Sequence, residues 1–520
     1  MSPSSRRAAA RRFFRSTASR SFRTTTGHSS MTTEDQAAGT REAIDTLIAN
    51  GCVITMDPQR RVIENGAVAV KGDRIVAVGD TAELQARYRA ARTIDARRKA
   101  VLPGLIDSHA HAGHAMLRTI GGADGDAWSA AAETIYTRAS DEAFWETESH
   151  LAALERLKAG VTTGVSLLGG GNSIMRVDDP VYARRHCDAV VRTGTRSIVA
   201  VGPSRPPAPR AYTRHTPDGS DTRDIDFDTM YDVCEDIIDS CHGDADGRIK
   251  IAVTLPVYGP EHDPELAQYE REFRDQAARY GALARARGLT FTQDGHRAGT
   301  LAFAHRELGL LGPTSFMSHS IDLTDDDIAA CVETGTAIIH NPSAIMSIIG
   351  RCPVPELIDA GVTVAIASDG AAPDRGYDMF RHMWQCMHYH RRHFRDPDVL
   401  PHGKVLEMVT IDAAKALSLD HEIGSLEAGK LADVILVDLF RPHMMPMNMP
   451  VYRVTCFANA ADVCMTMVGG QVLMEDRRVL SVDENEILER VMEVAATMIE
   501  RSGLRRLLDE PKTLWGRSHY

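Results

Sequence analysis

The sequence predicts an α/β fold: a (β/α)8 TIM barrel with a small β-sandwich domain built from both termini. Three observations predict it. Apolar, β-rich stretches alternate with helical patterns through the middle of the chain, and eight such units can be read. Short strands with Gly or Asp at their turns occupy both flanks of that region. Histidines and aspartates then fall at the ends of several of the eight stretches, where barrels of this class place their chemistry.

Taken in order, residues 1–40 are set apart by composition. "MSPSSRRAAARRFFRSTASRSFRTTTGHSS" holds Arg, Ser, Thr and Ala and no acid. It reads as a disordered or targeting segment, either a mitochondrial transit peptide or a stretch ahead of a true start at Met31. The location expected is cytoplasmic, or mitochondrial if residues 1–30 are a transit peptide. Residues 43–100 ("CVITMD", "GAVAVKGDRIVAVGD", "ARTIDARRKA") and 422–480 ("ADVILVDL", "VCMTMVGGQVLMED") share one strand-and-turn texture and are assigned to one composite sandwich. Residues 101–421 carry the barrel. Its strands are "AVLPGLID", "GVTTGVSLL", "RSIVAVG", "RIKIAVTLPV", "GLTFTQD", "TSFMSHS", "GTAIIHN" and "GVTVAIASD". Intervening patterns such as "DEAFWETESHLAALERLKAG" and "LTDDDIAACVETG" read as helices, the second with Thr324 as N-cap and acids in its first turn. Residues 481–520 form a C-terminal helical segment.

Composition narrows the function. Net charge is −12, so no basic face argues for nucleic acid. No run of about 18 apolar residues suggests a membrane span. The nine cysteines form no CxxC pair and read as reduced, packed residues. The partner expected is a small-molecule substrate, within a homo-oligomer.

The chemistry-bearing residues cluster. "PGLIDSHAHAGH" packs Asp107, His109, His111 and His114 into eight residues after the first strand. Gln293, Asp294 and His296 close the fifth strand, His319 the sixth, His340 and Asn341 the seventh, and Asp369 the eighth. A divalent ion in a nitrogen and oxygen site needs neutral imidazoles, a carboxylate and an open position for water. His109 and His111 stand two apart on an extended strand end, so both side chains can face one side. Such an ion lowers the pKa of its water toward about 7. Asp369 is placed to take the proton from that water and pass it to a leaving group. His319 could bind metal or hydrogen-bond the attacking oxygen.

These marks together resemble the amidohydrolase superfamily, and most closely its triazine hydrolase and cytosine/guanine deaminase-like branch. The resemblance covers roughly residues 45–480. It rests on "PGLIDSHAH", "SHSIDLTDDDI", "HNPSAIMSIIG", "GVTVAIASDGAAPD" and "LEMVTIDAAKALSLDHEIGSLEAGKLADVILVD" in that order. It implies one divalent ion per chain, zinc ahead of iron, held by His109, His111, His319 and Asp369. The fifth strand departs from the branch, which carries His-x-x-Glu there; this chain reads "GLTFTQDGHRAG". One alignment sets Gln293 and His296 in the His and Glu places, and the other puts Asp294 in the ligand place. His296 is favoured, as metal ligand or as proton shuttle.

Further substrate candidates are His114, Asp294, Arg205, His340 and Asn341. Arg205 and Arg210 in "GPSRPPAPR" could clamp a carboxylate, or simply belong to a proline-rich loop. Asp374 and Arg375 are expected to pair with each other or with loop groups. "RHMWQCMHYHRRHFRD" packs four histidines into one helix; a basic face or a subunit contact is preferred there over a second metal site. The function expected is a metal-dependent hydrolase cleaving a C–N bond of a heterocyclic amine, amidine or cyclic amide. The alternatives are a urea, carbamate or triazine-type hydrolase on the same site, and a catalytically silent assembly protein on the same fold.

Overall fold

The eight apolar stretches become eight parallel strands in one sheet. In chain order they are β1 (Leu105–Asp107), β2 (Val161–Leu167), β3 (Arg196–Val201), β4 (Ile249–Pro256), β5 (Phe291–Asp294), β6 (Ser315–Ser318), β7 (Ala337–His340) and β8 (Val364–Ile366). Each pairs in parallel with its chain neighbour, so spatial order follows sequence order from β1 to β8. The structure is a computed structural model that describes residues 41–122, 124–170, 174–512 and 514–517. The targeting reading of residues 1–40 therefore lies outside the described residues.

Alternation along the strands sorts side chains between two packed layers. Leu167, Ile198, Ala200, Ala252, Phe316, Ile339 and Ala365 share one cluster. Val199, Val201, Ile251, Val253, Phe291, Met317, Ile338 and Ile366 join another, which also holds helix residues such as Tyr280, Leu357 and Cys386. The second parity therefore faces the helices and the first faces the barrel interior. The edge strands β1 and β8 meet at their C-terminal ends, where Asp369 N donates to His109 O at 3.0 Å.

Strands from both flanks pair in one nine-stranded sheet. Val434–Asp438 lies antiparallel to Lys99–Pro103, which runs parallel to Glu42–Ile54. Ile48, Val68 and Val70 share a core with Val434, Leu436, Met465 and Met467. Their neighbours Leu47, Ala67 and Ala69 pack on the other face against Leu84 and Tyr88. Sheet and barrel belong to one unit that begins at Glu42.

Helices α1 (Glu142–Lys158) and α2 (Met379–Phe394) pack beside the barrel strands, and a third helix, Glu484–Ser502, occupies the C-terminal segment. Thr324 caps the helix Asp325–Thr334, with Asp327 completing the reciprocal capping box. The stretch after "GPSRPPAPR" forms a hairpin, Arg210–Thr216 with Gly219–Ile225. Among the described residues, no helix is long and apolar enough to cross a membrane.

Candidate active site

Four side chains from three strand ends and the β1 loop converge at the barrel mouth. Ligand atoms of His109, Asp294, His319 and Asp369 all lie within 4.8 Å of one another. His109 Nε2 is 3.3 Å from Asp294 Oδ1 and 3.5 Å from Asp369 Oδ1. His319 Nε2 is 3.0 Å from Asp294 Oδ1 and 3.5 Å from Asp369 Oδ1. His111 reaches the same carboxylates, its Nε2 lying 3.2 Å from Asp369 Oδ1 and 3.5 Å from Asp294 Oδ2. All five side chains are buried.

The backbone is bent to achieve this. His319, Ser320 and Asp369 hold φ of 61°, 52° and 60°, a conformation that costs non-glycine residues energy and recurs at functional sites. Gly370 continues the β8 turn at φ 84°, and a Cβ there would stand 2.8 Å from His114 Nδ1.

Electrostatics fit a cation. Burial opposes charging of His319, but Asp369 and Asp294 outweigh it and push the ring up to about 10. His109 is also raised, with Asp294 overcoming desolvation. Burial would raise both carboxyls, yet His109 holds Asp294, and Arg375 with His319 holds Asp369, well below the usual carboxylate range. Two carboxylates in a dry site thus demand positive charge, and without an ion the histidines must supply it as protons. The donor set is nitrogen and oxygen, which suits a borderline divalent ion. His111 Nδ1 lies 3.0 Å from Gly169 O; donating a proton there leaves Nε2 as the ligand-competent atom. Neither nitrogen of the buried His109 makes a hydrogen bond of ordinary geometry. The residues therefore fit a resident metal.

The fifth strand is where geometry parts from the favoured alignment. Phe291 belongs to the helix-facing layer, so alternation turns Asp294 inward and Gln293 outward. Gln293 Nε2 donates to Pro256 O at 3.1 Å. Gly295, at φ 97°, then swings the chain away, and His296 falls outside the four-residue cluster. Its Nδ1 lies 2.9 Å from Thr300 Oγ1, whose own proton goes to Arg297 O. The His296 proton therefore sits on Nδ1, and the buried Nε2 has no partner among the described residues. Three residues after Asp294 stands Arg297, where the His-x-x-Glu pattern would place an acid.

The other expectations divide. Asn341 faces the site: its amide donates to Ser318 Oγ at 3.0 Å and lies 3.4 Å from His319 Nδ1. Ser318 Oγ in turn donates to Asp294 at 3.3 Å. His114 is buried between the His111 ring at 4.5 Å and the Trp128 ring at 5.2 Å, and burial keeps it neutral. His340 does not face the site. It shares the helix-facing parity of Ile338, and its ring lies 5.3 Å from His390 on α2. Arg205 is engaged in its own loop, donating to Val257 O at 2.8 Å with Asp263 Oδ1 at 3.4 Å. Arg210 donates to Glu133 and to Arg205 O. Arg375 ignores the exposed Asp374 and places Nη2 3.2 Å from Asp369 Oδ2. That contact went unforeseen because it joins a loop to a strand end. The hydrogen bonds of Asp107 to Arg156 and Ser368 also went unforeseen.

Comparisons with known proteins cover most of the chain. A sequence profile described as the amidohydrolase family matches residues 100–473, and an imidazolonepropionase-like composite domain of bacteria matches residues 66–91. A 5-methylthioadenosine/S-adenosylhomocysteine deaminase of Syntrophobacter fumaroxidans is 29% identical over 473 residues, covering 87% of this chain and 98% of that protein. The Haloarcula marismortui deaminase of the same name is 30% identical, with coverage of 88% and 99%. A crystal structure of an adenosine deaminase from Xanthomonas campestris with bound zinc superposes with a TM-score of 0.74 at 23% identity, over 88% of this chain and 100% of that one.

Proposed function

Because the chain belongs to the amidohydrolase family, we propose that it hydrolyses the exocyclic C–N bond of an amino-substituted nitrogen heterocycle and releases ammonia. Its enzyme class is hydrolysis of carbon–nitrogen bonds other than peptide bonds. One observation carries the proposal: His109, His111, Asp294, His319 and Asp369 point at one buried spot at the C-terminal end of the barrel. His109, His111, Asp294 and Asp369 would hold a single divalent ion with His319 beside it, zinc by the donor set and by the zinc in the related deaminase structure. When bound, that ion would acidify water and polarise the substrate.

The protein groups divide the remaining work. Asp369 is held ionised, so it can take the proton of the attacking water and return it to the departing nitrogen. Arg375 fixes Asp369 Oδ2 and leaves Oδ1 toward the histidines. Asn341 lies opposite His319 Nδ1; a neutral ring would accept there and keep its proton on Nε2, directed into the site to bind a developing oxyanion. Adenine nucleosides are the first substrates to test, since the relatives covering 87–88% of the chain are named for them.

A second reading has its own support. Arg297 rather than an acid follows Asp294, so protonation of a ring nitrogen must come from elsewhere or be unnecessary. That favours a urea, carbamate or triazine-type substrate, whose cleavage depends more on the leaving group. A silent assembly protein would have no use for the complete donor set. The deciding experiment offers adenine nucleosides, aminopyrimidines, aminotriazines, ureas and carbamates to zinc-loaded protein and measures ammonia and amine. Ammonia from an amino-heterocycle is the expected result. Turnover of ureas or carbamates alone would replace it with the second reading, and no turnover of any class would refute both. Self-association remains part of the proposal, supported by the exposed Met447, Met449, Tyr452 and Phe457, and light scattering tests it.

A further inference from the structure

We propose a second metal site, built from His340, Cys386 and His390 on the helix-facing side of the barrel, that takes a zinc-class divalent ion. Ligand atoms of these three residues lie within 4.8 Å of one another, and all three side chains are buried. The placement follows from two periodicities. His340 ends β7 at the parity of Ile338, which packs among the helices. Cys386 and His390 are four apart on α2 and so share the face turned toward β7.

The cluster lacks what packed histidines normally have. Among the described residues, neither nitrogen of His340 and neither nitrogen of His390 has a hydrogen-bond partner, although both rings are fully buried. Four orphaned ring nitrogens beside a thiol are costly unless something occupies the space between them. His382 on the same helix is satisfied by contrast, lying 2.8 Å from both Ser343 Oγ and Gly376 O. Burial, and Arg351 for His390, hold both open rings neutral, as ligands must be. Imidazole plus thiolate is the donor set that selects zinc over magnesium or calcium. The preference for a basic helix face is therefore set aside for one face of α2. The site uses only one of the four helix histidines and draws its third ligand from a strand.

Binding has a defined balance. Burial keeps the Cys386 thiol protonated. The ion forms a bond to sulfur, the S–H bond breaks, and one proton leaves to solvent. This site has a signature that the barrel mouth cannot produce, because the five residues there carry no sulfur.

The test uses cobalt(II) as the probe on chelator-stripped full-length protein. Wild type is expected to develop a thiolate-to-cobalt charge-transfer band in the near ultraviolet. Cys386→Ser should lose that band and bind about one ion fewer per chain. His390→Gln gives a second variant should the first misfold. A cobalt-loaded wild type without the band overturns the proposal, as does a band that persists in a folded Cys386→Ser. Loss of catalytic turnover with the band intact would instead count against the barrel-mouth reading alone.

Discussion

The Asp107 carboxylate accepts both the backbone amide of Ser368, at 2.9 Å, and its hydroxyl, at 2.8 Å. Ser368 immediately precedes Asp369, so β1 holds the position of a residue delivered by β8. Asp107 Oδ2, which takes the hydroxyl, also accepts from Arg156 of α1, from Nε at 3.1 Å and Nη2 at 2.9 Å. Arg156 also donates to Ser166 and to Val165 O on β2. This fully buried group ties the first, second and eighth strands together beneath the site.

Breaking that tie should be expensive. Asp107→Ala strands the Arg156 cation in the interior, and removal of one partner from a buried pair costs about 3 to 5 kcal/mol. Thermal unfolding should show a large drop. Ser368→Ala removes only the hydroxyl and should cost about 1 kcal/mol, while reducing turnover by loosening Asp369. If Asp107→Ala melts like wild type, the brace is not structural.

Arg375 should set the acid limb of the pH–rate profile. Its cation stabilises the ionised form of Asp369 against desolvation. In Arg375→Met the carboxyl becomes easier to protonate, so its pKa rises and the acid limb of kcat moves to higher pH. Activity should fall further at pH 6 than at pH 8. A uniform loss across the profile would mean that Arg375 only shapes the loop.

Much of this was legible in the sequence, and the gaps have physical causes. The eight strands announce themselves as apolar runs between helical patterns, and His109, His111, His319 and Asp369 sit where strand ends must lie. His296 was favoured over Asp294 because "TQDGHRAG" permits two registers, and only the turn at Gly295 chooses between them. His340 was taken for a mouth residue because a strand buried on both faces, such as "AIIH", hides its parity. Arg375 was expected to pair with Asp374 or with loop groups, and the carboxylate it meets is that of Asp369 beyond the end of β8.

Glu148 on α1 should give the fold an alkaline weakness. It is fully buried, and burial pushes its carboxyl up to about 7 despite hydrogen bonds from the amides of Gly113 and Ala115. A carboxyl raised above its unfolded value of 4.5 binds its proton more tightly when folded. The contribution of Glu148 to stability is then fully present below the unfolded value and is lost as pH rises through about 7. The full effect is roughly 3 kcal/mol at most. Glu148→Gln should flatten this slope, so that the variant gains on wild type at pH 8 more than at pH 5. Parallel melting curves across that range would show that Glu148 is ionised throughout.

The fifth strand offers the sharpest contrast between neighbouring residues. Asp294 Oδ1 lies 3.0 Å from His319 Nε2 and 3.3 Å from His109 Nε2, so it stands among the candidate ligand atoms. His296 is anchored through Nδ1 to Thr300 and stands outside that group. Asp294→Ala should therefore lose bound zinc and turnover together. His296→Ala should keep its zinc. If the unpartnered Nε2 of His296 relays protons, the variant loses about 10² to 10⁴ in rate; if the ring only packs, turnover per folded molecule stays near wild type and the melting temperature falls. Zinc content, melting temperature and rate on both variants separate these outcomes. Retention of stoichiometric zinc by Asp294→Ala, with its loss from His296→Ala, would reverse the assignment. It would restore the alignment that places Gln293 and His296 in the His-x-x-Glu positions.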